Sequence, residues 1–212
     1  MTGKFISLEG GEGSGKSTAI ACIKTWLETE KIDYIMTREP GGTVLAEEIR
    51  SLVLSSRDEE VDDMTELLLM FAARAQHMSQ KIRPALKQGV WVISDRFIDS
   101  SFVYQGYARG GDLDILNRLT KWVVGTDKPD ATLLLDVPVS IGLQRVALRK
   151  NADRLDKEST IFHEKVRQGF LEQAALEPSR IKIIDASQSI DRVSAQILVQ
   201  LNTLKSAWQR NV

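Results

Sequence analysis

Cysteine is nearly absent from this chain. Cys22 stands alone among 212 residues, so no internal disulfide can form, and its place on the apolar side of a helix-like segment reads as a small core residue. Histidine is almost as scarce: with only His77 and His163, a metal site rich in imidazole is excluded and a Ser-His-Asp triad has little support. An excess of charge of either sign is missing too, since 28 Lys+Arg stand against 29 Asp+Glu. A chain that grips a polyanion usually carries a basic surplus, so no nucleic-acid partner is expected. No apolar run approaches the ~18 residues of a membrane span, and the N-terminus enters a strand-like segment with no stretch of signal-peptide length. No membrane partner is therefore expected, and the expected location is cytoplasmic. Repeats, low-complexity segments and Pro-, Gly- or Ser-rich linkers are also lacking. Residues 1–212 read as one domain with enough length for a full α/β core.

What is present is organised around Gly10-Gly11-Glu12-Gly13-Ser14-Gly15-Lys16-Ser17, which fits G-x-x-x-x-G-K-[ST]. Lys4-Phe5-Ile6-Ser7-Leu8-Glu9 before it reads as a short buried strand. Thr18 to Glu30 after it reads as a helix, with Ile20, Ile23, Trp26 and Leu27 at helical spacing. Strand, glycine loop and helix together make a phosphate site. The glycines let several backbone N–H groups point into one concavity, and the helix N-terminus adds partial positive charge. Lys16 then reaches the β- and γ-phosphates, and the Ser17 hydroxyl ligates Mg²⁺.

Further apolar runs at 33–37, 90–94, 131–136 and 181–185 alternate with helical segments. This pattern predicts right-handed βαβ units in a P-loop NTPase-type α/β fold: a parallel five-stranded sheet with helices on both faces and a short lid segment at about 141–157. In such a sheet the ligand crevice lies at the carboxyl ends of the strands, so function should cluster just after each one.

Arg38-Glu39-Pro40-Gly41-Gly42-Thr43 follows the second strand, with Thr43 placed to cap the next helix. On the residues alone, Arg38 and Arg50 fit either a phosphate clamp or ordinary surface charge. Residues 62–88 read as a long helical stretch broken near Pro84. Within it Phe71 and Arg74 share a face, where ring and guanidinium suit a base and its edge, although Phe71 suits the core equally. Asp95-Arg96-Phe97 opens a dense polar segment after the third strand. A strand-terminal acid in a P-loop protein suits the holding of Mg²⁺, and Arg96 offers a planar fork for phosphate. Arg145, Arg149 and Arg154 follow the fourth strand, either as a solvated charged face or as a lid that carries an arginine to the phosphates. No water-positioning Gln directly follows Asp95, which counts against a hydrolytic switch. A P-loop kinase for some other nucleoside monophosphate is the remaining alternative.

These blocks give the chain a family likeness over essentially its whole length: it resembles the bacterial thymidylate (dTMP) kinases, which are P-loop nucleoside monophosphate kinases. Ile6-Ser7-Leu8-Glu9-Gly10 running into the P-loop, Arg38 to Thr43, Ala72-Ala73-Arg74, Asp95-Arg96-Phe97 with Ser100 and Tyr104-Gln105, and Asp153-Arg154-Leu155 carry the likeness. The resemblance implies transfer of the ATP γ-phosphoryl group to dTMP, giving dTDP and ADP for dTTP synthesis, with Mg²⁺ accompanying the ATP. It implies that Gly10, Gly11, Glu12, Gly13, Ser14, Gly15, Lys16, Ser17 and Thr18 hold ATP, and that Ser17, Asp95 and Glu9 serve the metal. Glu12 would contact the sugar 3′-hydroxyl, and Arg50 and Arg96, with Arg38 and Ser100 nearby, the acceptor phosphate. Arg74 would bond the base edge, Ser101 and Gln105 would complete the base pocket, and Tyr104 would lie under the ribose. The stacking residue is Met70 or its neighbour Phe71. Some relatives carry a basic residue among the variable positions of the P-loop; here Gly11, Glu12, Gly13 and Ser14 include none, so Arg149 or Arg154 would join Lys16 and Arg96 as a catalytic cation. A homodimer is also implied.

Overall fold

The computed structural model of the chain describes residues 3–55, 57–148 and 158–210. Its strands are β1 (Phe5–Glu9), β2 (Tyr34–Arg38), β3 (Trp91–Asp95), β4 (Ala131–Asp136) and β5 (Ile181–Asp185). All neighbouring pairs are parallel, in the order β2-β3-β1-β4-β5. β2 and β3 lie one residue later than the apolar runs suggest. The ladder is held by backbone, so it continues through the charged ends, where Arg38 pairs with Asp95.

Side chains alternate across the sheet and so feed two layers. Ile6, Leu8, Ile93, Leu133 and Ile184 face α1 (Lys16–Thr29) and α9 (Ile190–Arg210), meeting Ile23, Leu27, Ile197 and Leu201. On the opposite face, Phe5 and Val92 pack against Leu67 and Phe71 of α3 (Asp63–His77) and Leu116 of α6 (Leu113–Val123). Leu134 and Ile181 are covered there by Val166 and Phe170 of α8 (Thr160–Leu176). Among the described residues no helix is long and apolar enough to cross a membrane.

Local chemistry sets the helix ends. Thr43 accepts from the Ala46 N–H and starts α2 (Val44–Leu54), and Asp62 does the same for Thr65 in α3. The 62–88 stretch runs as α3, a π turn over Met78–Ile82, and α4 (Arg83–Lys87). Pro84 stands in the first turn of α4, where its missing N–H is tolerated, and the wider π turn precedes it. Beyond β3 come α5 (Ile98–Ser101) and a second π turn, Phe102–Ala108. α7 (Val139–Ala147) occupies the first part of the expected lid; Arg149 and Arg154 lie outside the described residues.

Candidate active site

β1 delivers the chain directly into the glycine loop. Gly15 adopts a φ of 91° and caps α1 without any side-chain hydrogen bond. The first N–H groups of the helix are thus left to a ligand, the usual basis of an anion site. Gly13 is required by close approach: a Cβ there would lie 2.1 Å from the Gly142 carbonyl oxygen of α7. Lys16 Nζ donates to the Gly10 carbonyl at 3.0 Å and to the Gly11 carbonyl at 3.4 Å. Burial, with Arg96 close by, lowers its ammonium to about 8, only partly offset by Glu12 and Asp95.

A cavity of about 240 Å³ opens above this loop at the carboxyl ends of the strands. Of the residues singled out in the sequence, Glu12, Gly13, Ser14, Gly15, Lys16 and Ser17 form its floor. Arg38, Arg50, Met70, Asp95, Arg96, Ser100, Tyr104 and Gln105 line it as well. Gly10, Gly11 and Thr18 lie in or beside the loop but outside the wall.

Arg96 is the hub. Its backbone is left-handed, with φ 67°. Its Nη2 donates to Glu12 Oε1 at 2.8 Å and its Nη1 to Ser100 Oγ at 3.2 Å, while the guanidinium carbon lies 5.0 Å from the centre of the Tyr104 ring. The Tyr104 hydroxyl donates to the same Glu12 oxygen at 2.8 Å. Burial works to raise the Glu12 carboxyl, but Arg96, Lys16 and the Tyr104 hydrogen bond outweigh it and hold the group at about 2. The site therefore carries a fixed carboxylate next to a fixed guanidinium.

Arg74 is 1 % exposed and sits behind the wall. Its Nε donates to Glu39 Oε2 at 2.7 Å, and its Nη2 to Ser101 Oγ at 3.0 Å and the Phe97 carbonyl at 3.3 Å. Among the described residues its Nη1 is buried without a hydrogen-bond partner, as are Gln105 Oε1 and Asp95 Oδ1. Buried polar atoms are nearly always satisfied, so three such atoms around one site point to groups supplied by ligands.

Two of the candidate residues lie away from the wall. Glu9 is fully buried and outside the wall; its oxygens accept from the Phe97 N–H at 2.8 Å and the Ser100 hydroxyl at 2.6 Å, so it braces the segment after β3. Phe71 also lies in the core, with Arg74 stacked 4.8 Å above its ring; Met70 is the one at the wall. Arg38 is engaged at the surface by Glu47 at 2.9 Å, and Arg50 donates to the Pro40 carbonyl at 2.9 Å.

Sequence reasoning missed Glu39, His77 and Glu66. Glu39 receives Arg74 on one oxygen and His77 Nδ1 on the other at 3.0 Å. His77 Nε2 is bonded in turn to Thr37 Oγ1 at 2.7 Å. Glu66 lines the cavity and accepts from Gln105 Nε2 at 2.9 Å. A signal was available: Glu66, Met70 and Arg74 recur every four residues and fall on one stripe of α3.

A family model described as thymidylate kinase matches residues 8–197. A thymidylate kinase from Marinomonas sp. is 67% identical over 208 residues, covering 98% of each chain. One from Ruthia magnifica is 48% identical over 202 residues, covering 95% of this chain and 98% of the other. The crystal structure of thymidylate kinase from Ehrlichia chaffeensis superposes with a TM-score of 0.76 at 30% identity, covering 95% of this chain and 99% of that one. With its glycine loop, its Glu12–Arg96 hub and these relatives along nearly its full length, the chain belongs to the thymidylate kinase family.

Proposed function

We propose that the chain transfers the γ-phosphoryl group of ATP to dTMP, giving dTDP and ADP. One observation carries this reading: a single cavity joins the phosphate loop, with Lys16 and Ser17, to a wall bearing Arg96, Met70 and the unpartnered Gln105 amide oxygen. A triphosphate on the loop and a monophosphate against that wall would meet at their phosphates.

Phosphoryl transfer asks the protein mainly for alignment and for positive charge at the equatorial oxygens. In this reading Lys16 and the loop N–H groups hold the donor, while Arg96 and Arg50 hold the acceptor phosphate, with Arg38 at the cavity edge. The ionised Glu12 takes the sugar 3′-hydroxyl, and Tyr104 lies under the sugar. Met70 packs on the base, whose edge meets Arg74 and Gln105. Asp95 Oδ1 is a buried carboxylate oxygen with no hydrogen-bond partner among the described residues, and Ser17 shares the cavity. Among the described residues there is no cluster of three metal-binding side chains. That donor set fits Mg²⁺, which takes most of its ligands from phosphate and water. Bound there between Ser17 and Asp95, it would neutralise charge on the transferring phosphates. Arg149 or Arg154 would complete that neutralisation.

A homodimer is supported by the apolar side chains that α2 and α3 leave exposed, Leu45 and Leu52 on one and Met64 and Leu68 on the other. The charge balance and the lack of an apolar run of membrane-spanning length in the sequence support a cytoplasmic location. The test is ADP formation from ATP with a panel of nucleoside monophosphates. Turnover with dTMP well above the other acceptors is expected; equal turnover across the panel, or none with dTMP, overturns the reading.

A further inference from the structure

Gln105 carries an amide, and an amide is ambiguous: either end can face a ligand, one as donor and the other as acceptor. Glu66 removes the ambiguity. Its Oε1 accepts from Gln105 Nε2 at 2.9 Å, with Glu66 2 % and Gln105 6 % exposed. A carboxylate accepts and does not donate, so the reversed amide would press two buried oxygens together. Arg109 stands beside the pair as countercharge, its Nε 3.5 Å from the same Glu66 oxygen and its Nη2 3.2 Å from Glu158. With the NH₂ end taken, Gln105 Oε1 is the end left without a protein partner, at a residue that lines the cavity. The matching donor comes from the same helix face: Arg74, eight residues after Glu66, has its Nη1 buried and unpartnered.

We infer that Glu66 is a positioning residue that fixes the polarity of base recognition: it holds Gln105 as an acceptor beside the Arg74 donor, so that the pocket takes a 4-oxo pyrimidine with a protonated N3 and rejects a 4-amino pyrimidine. The inference rests on the monophosphate-kinase reading above. Thymine offers O4 as acceptor and N3–H as donor, which answers both atoms. Cytosine offers an amino donor and a bare N3 acceptor, which opposes both. A site built around buried hydrogen-bonding groups rejects the wrong partner strongly, because its own groups are then left unpaired.

The decisive variant is Glu66→Gln, which keeps the shape of the side chain but can itself donate. The Gln105 amide is then free to turn. With ATP as donor, kcat/KM is measured for dTMP and for dCMP in wild type, E66Q, Q105L and the double variant. The dTMP-over-dCMP ratio is expected to fall at least tenfold in E66Q, chiefly through KM for the acceptor, with KM for ATP within about twofold. In the Q105L background E66Q should change the ratio no further, because Glu66 acts through Gln105. A loss of turnover equal for both acceptors, or an E66Q effect that persists undiminished in Q105L, assigns Glu66 to structure alone and overturns the inference. Should E66Q prove too unstable for turnover, titration of folded protein with dTMP and dCMP in the cold gives the same ratio, and an unchanged ratio overturns it equally. Wild type with no activity on dTMP would instead overturn the kinase reading, and this inference with it.

Discussion

Arg96 holds a left-handed backbone, with φ 67°, which costs a residue with a side chain on the order of 1–3 kcal/mol. It is kept there because Glu12, Ser100 and the Tyr104 ring fix its guanidinium from three sides. The strain aims a planar fork into the cavity from the first position after a buried strand. Lys16 is the complementary case, a flexible point charge resting on loop carbonyls. Lys16→Ala should lower kcat about 10²–10³-fold, the usual cost of one transition-state donor, with circular dichroism unchanged; near-normal kcat in the folded variant would remove Lys16 from the chemistry. Arg74 calls for a gentler change. Alanine there would strand Glu39, 4 % exposed, as a buried charge facing only His77, and breaking such a pair costs about 3–5 kcal/mol of stability. Arg74→Lys keeps the charge but loses the fork. It should weaken dTMP binding by about 1–3 kcal/mol and leave ATP binding unchanged. Separate titrations of the two nucleotides check this, and equal losses would remove Arg74 from base recognition.

No arginine lies within Gly10 to Ser17, yet charge develops at the β–γ bridge and the γ-oxygens during transfer. Arg145 of α7 is already committed, donating to the Gly13 carbonyl at 3.3 Å and the Ala186 carbonyl at 3.1 Å. Arg149 and Arg154 follow it in sequence. Replacing both by alanine should cut kcat on the order of 10³-fold while ATP affinity barely changes, since such groups act mostly in the transition state; kcat within about tenfold of wild type would return them to ordinary surface charge. Some elements were easy to read in the sequence and others were not. The strands were legible because a parallel sheet buried on both faces makes near-continuous apolar runs. The π turn before α4 announced itself only as a proline. Residues 98–108 hid their α5 and π turn because Asp99, Ser100, Ser101 and Gln105 are all buried, so polarity no longer marks the solvent side. Met70 and Phe71 were inseparable for the opposite reason: both are apolar and adjacent, and only packing decides which one reaches the core. Glu39 and Glu66 were not singled out, because a sequence does not display a partner contributed by a distant segment.

Across the whole molecule, the second face of the sheet carries a buried polar seam beneath the site. Ser7 Oγ and Thr132 Oγ1 meet at 2.7 Å between neighbouring strands. Arg180, at the start of β5, grips both oxygens of Asp99 at 2.8 and 2.6 Å. Glu9 lies in the same layer with no such cation of its own. Burial first, and Asp99 second, raise its carboxyl from 4.5 to about 8, despite the opposing pull of Arg96 and its hydrogen bonds to Ser100 and Phe97. The folded state thus binds a proton that the unfolded chain gives up at lower pH. This contribution to stability is fully present below about pH 4.5 and is lost as pH rises towards 8, the reverse of a salt-bridged acid such as Glu12. Glu9→Gln imitates the protonated form: its oxygen can accept from the Phe97 N–H while its amide donates to Ser100. The variant should therefore match wild type near pH 5 and exceed it at pH 8. Each kcal/mol is worth about 2–4 °C of Tm in a protein of this size, so the gap in Tm should open by at least that much between pH 5 and 8. Groups that do not feel Glu9 titrate alike in both proteins and cancel in the difference. Glu12 contributes below 4.5, outside the window, and Lys16, whose ammonium Glu9 helps to hold up, adds its own change only from about pH 8. A Tm difference that stays flat from pH 5 to 8, or that favours wild type at the alkaline end, would mean that Glu9 is already ionised in the fold beside the Arg180-paired Asp99.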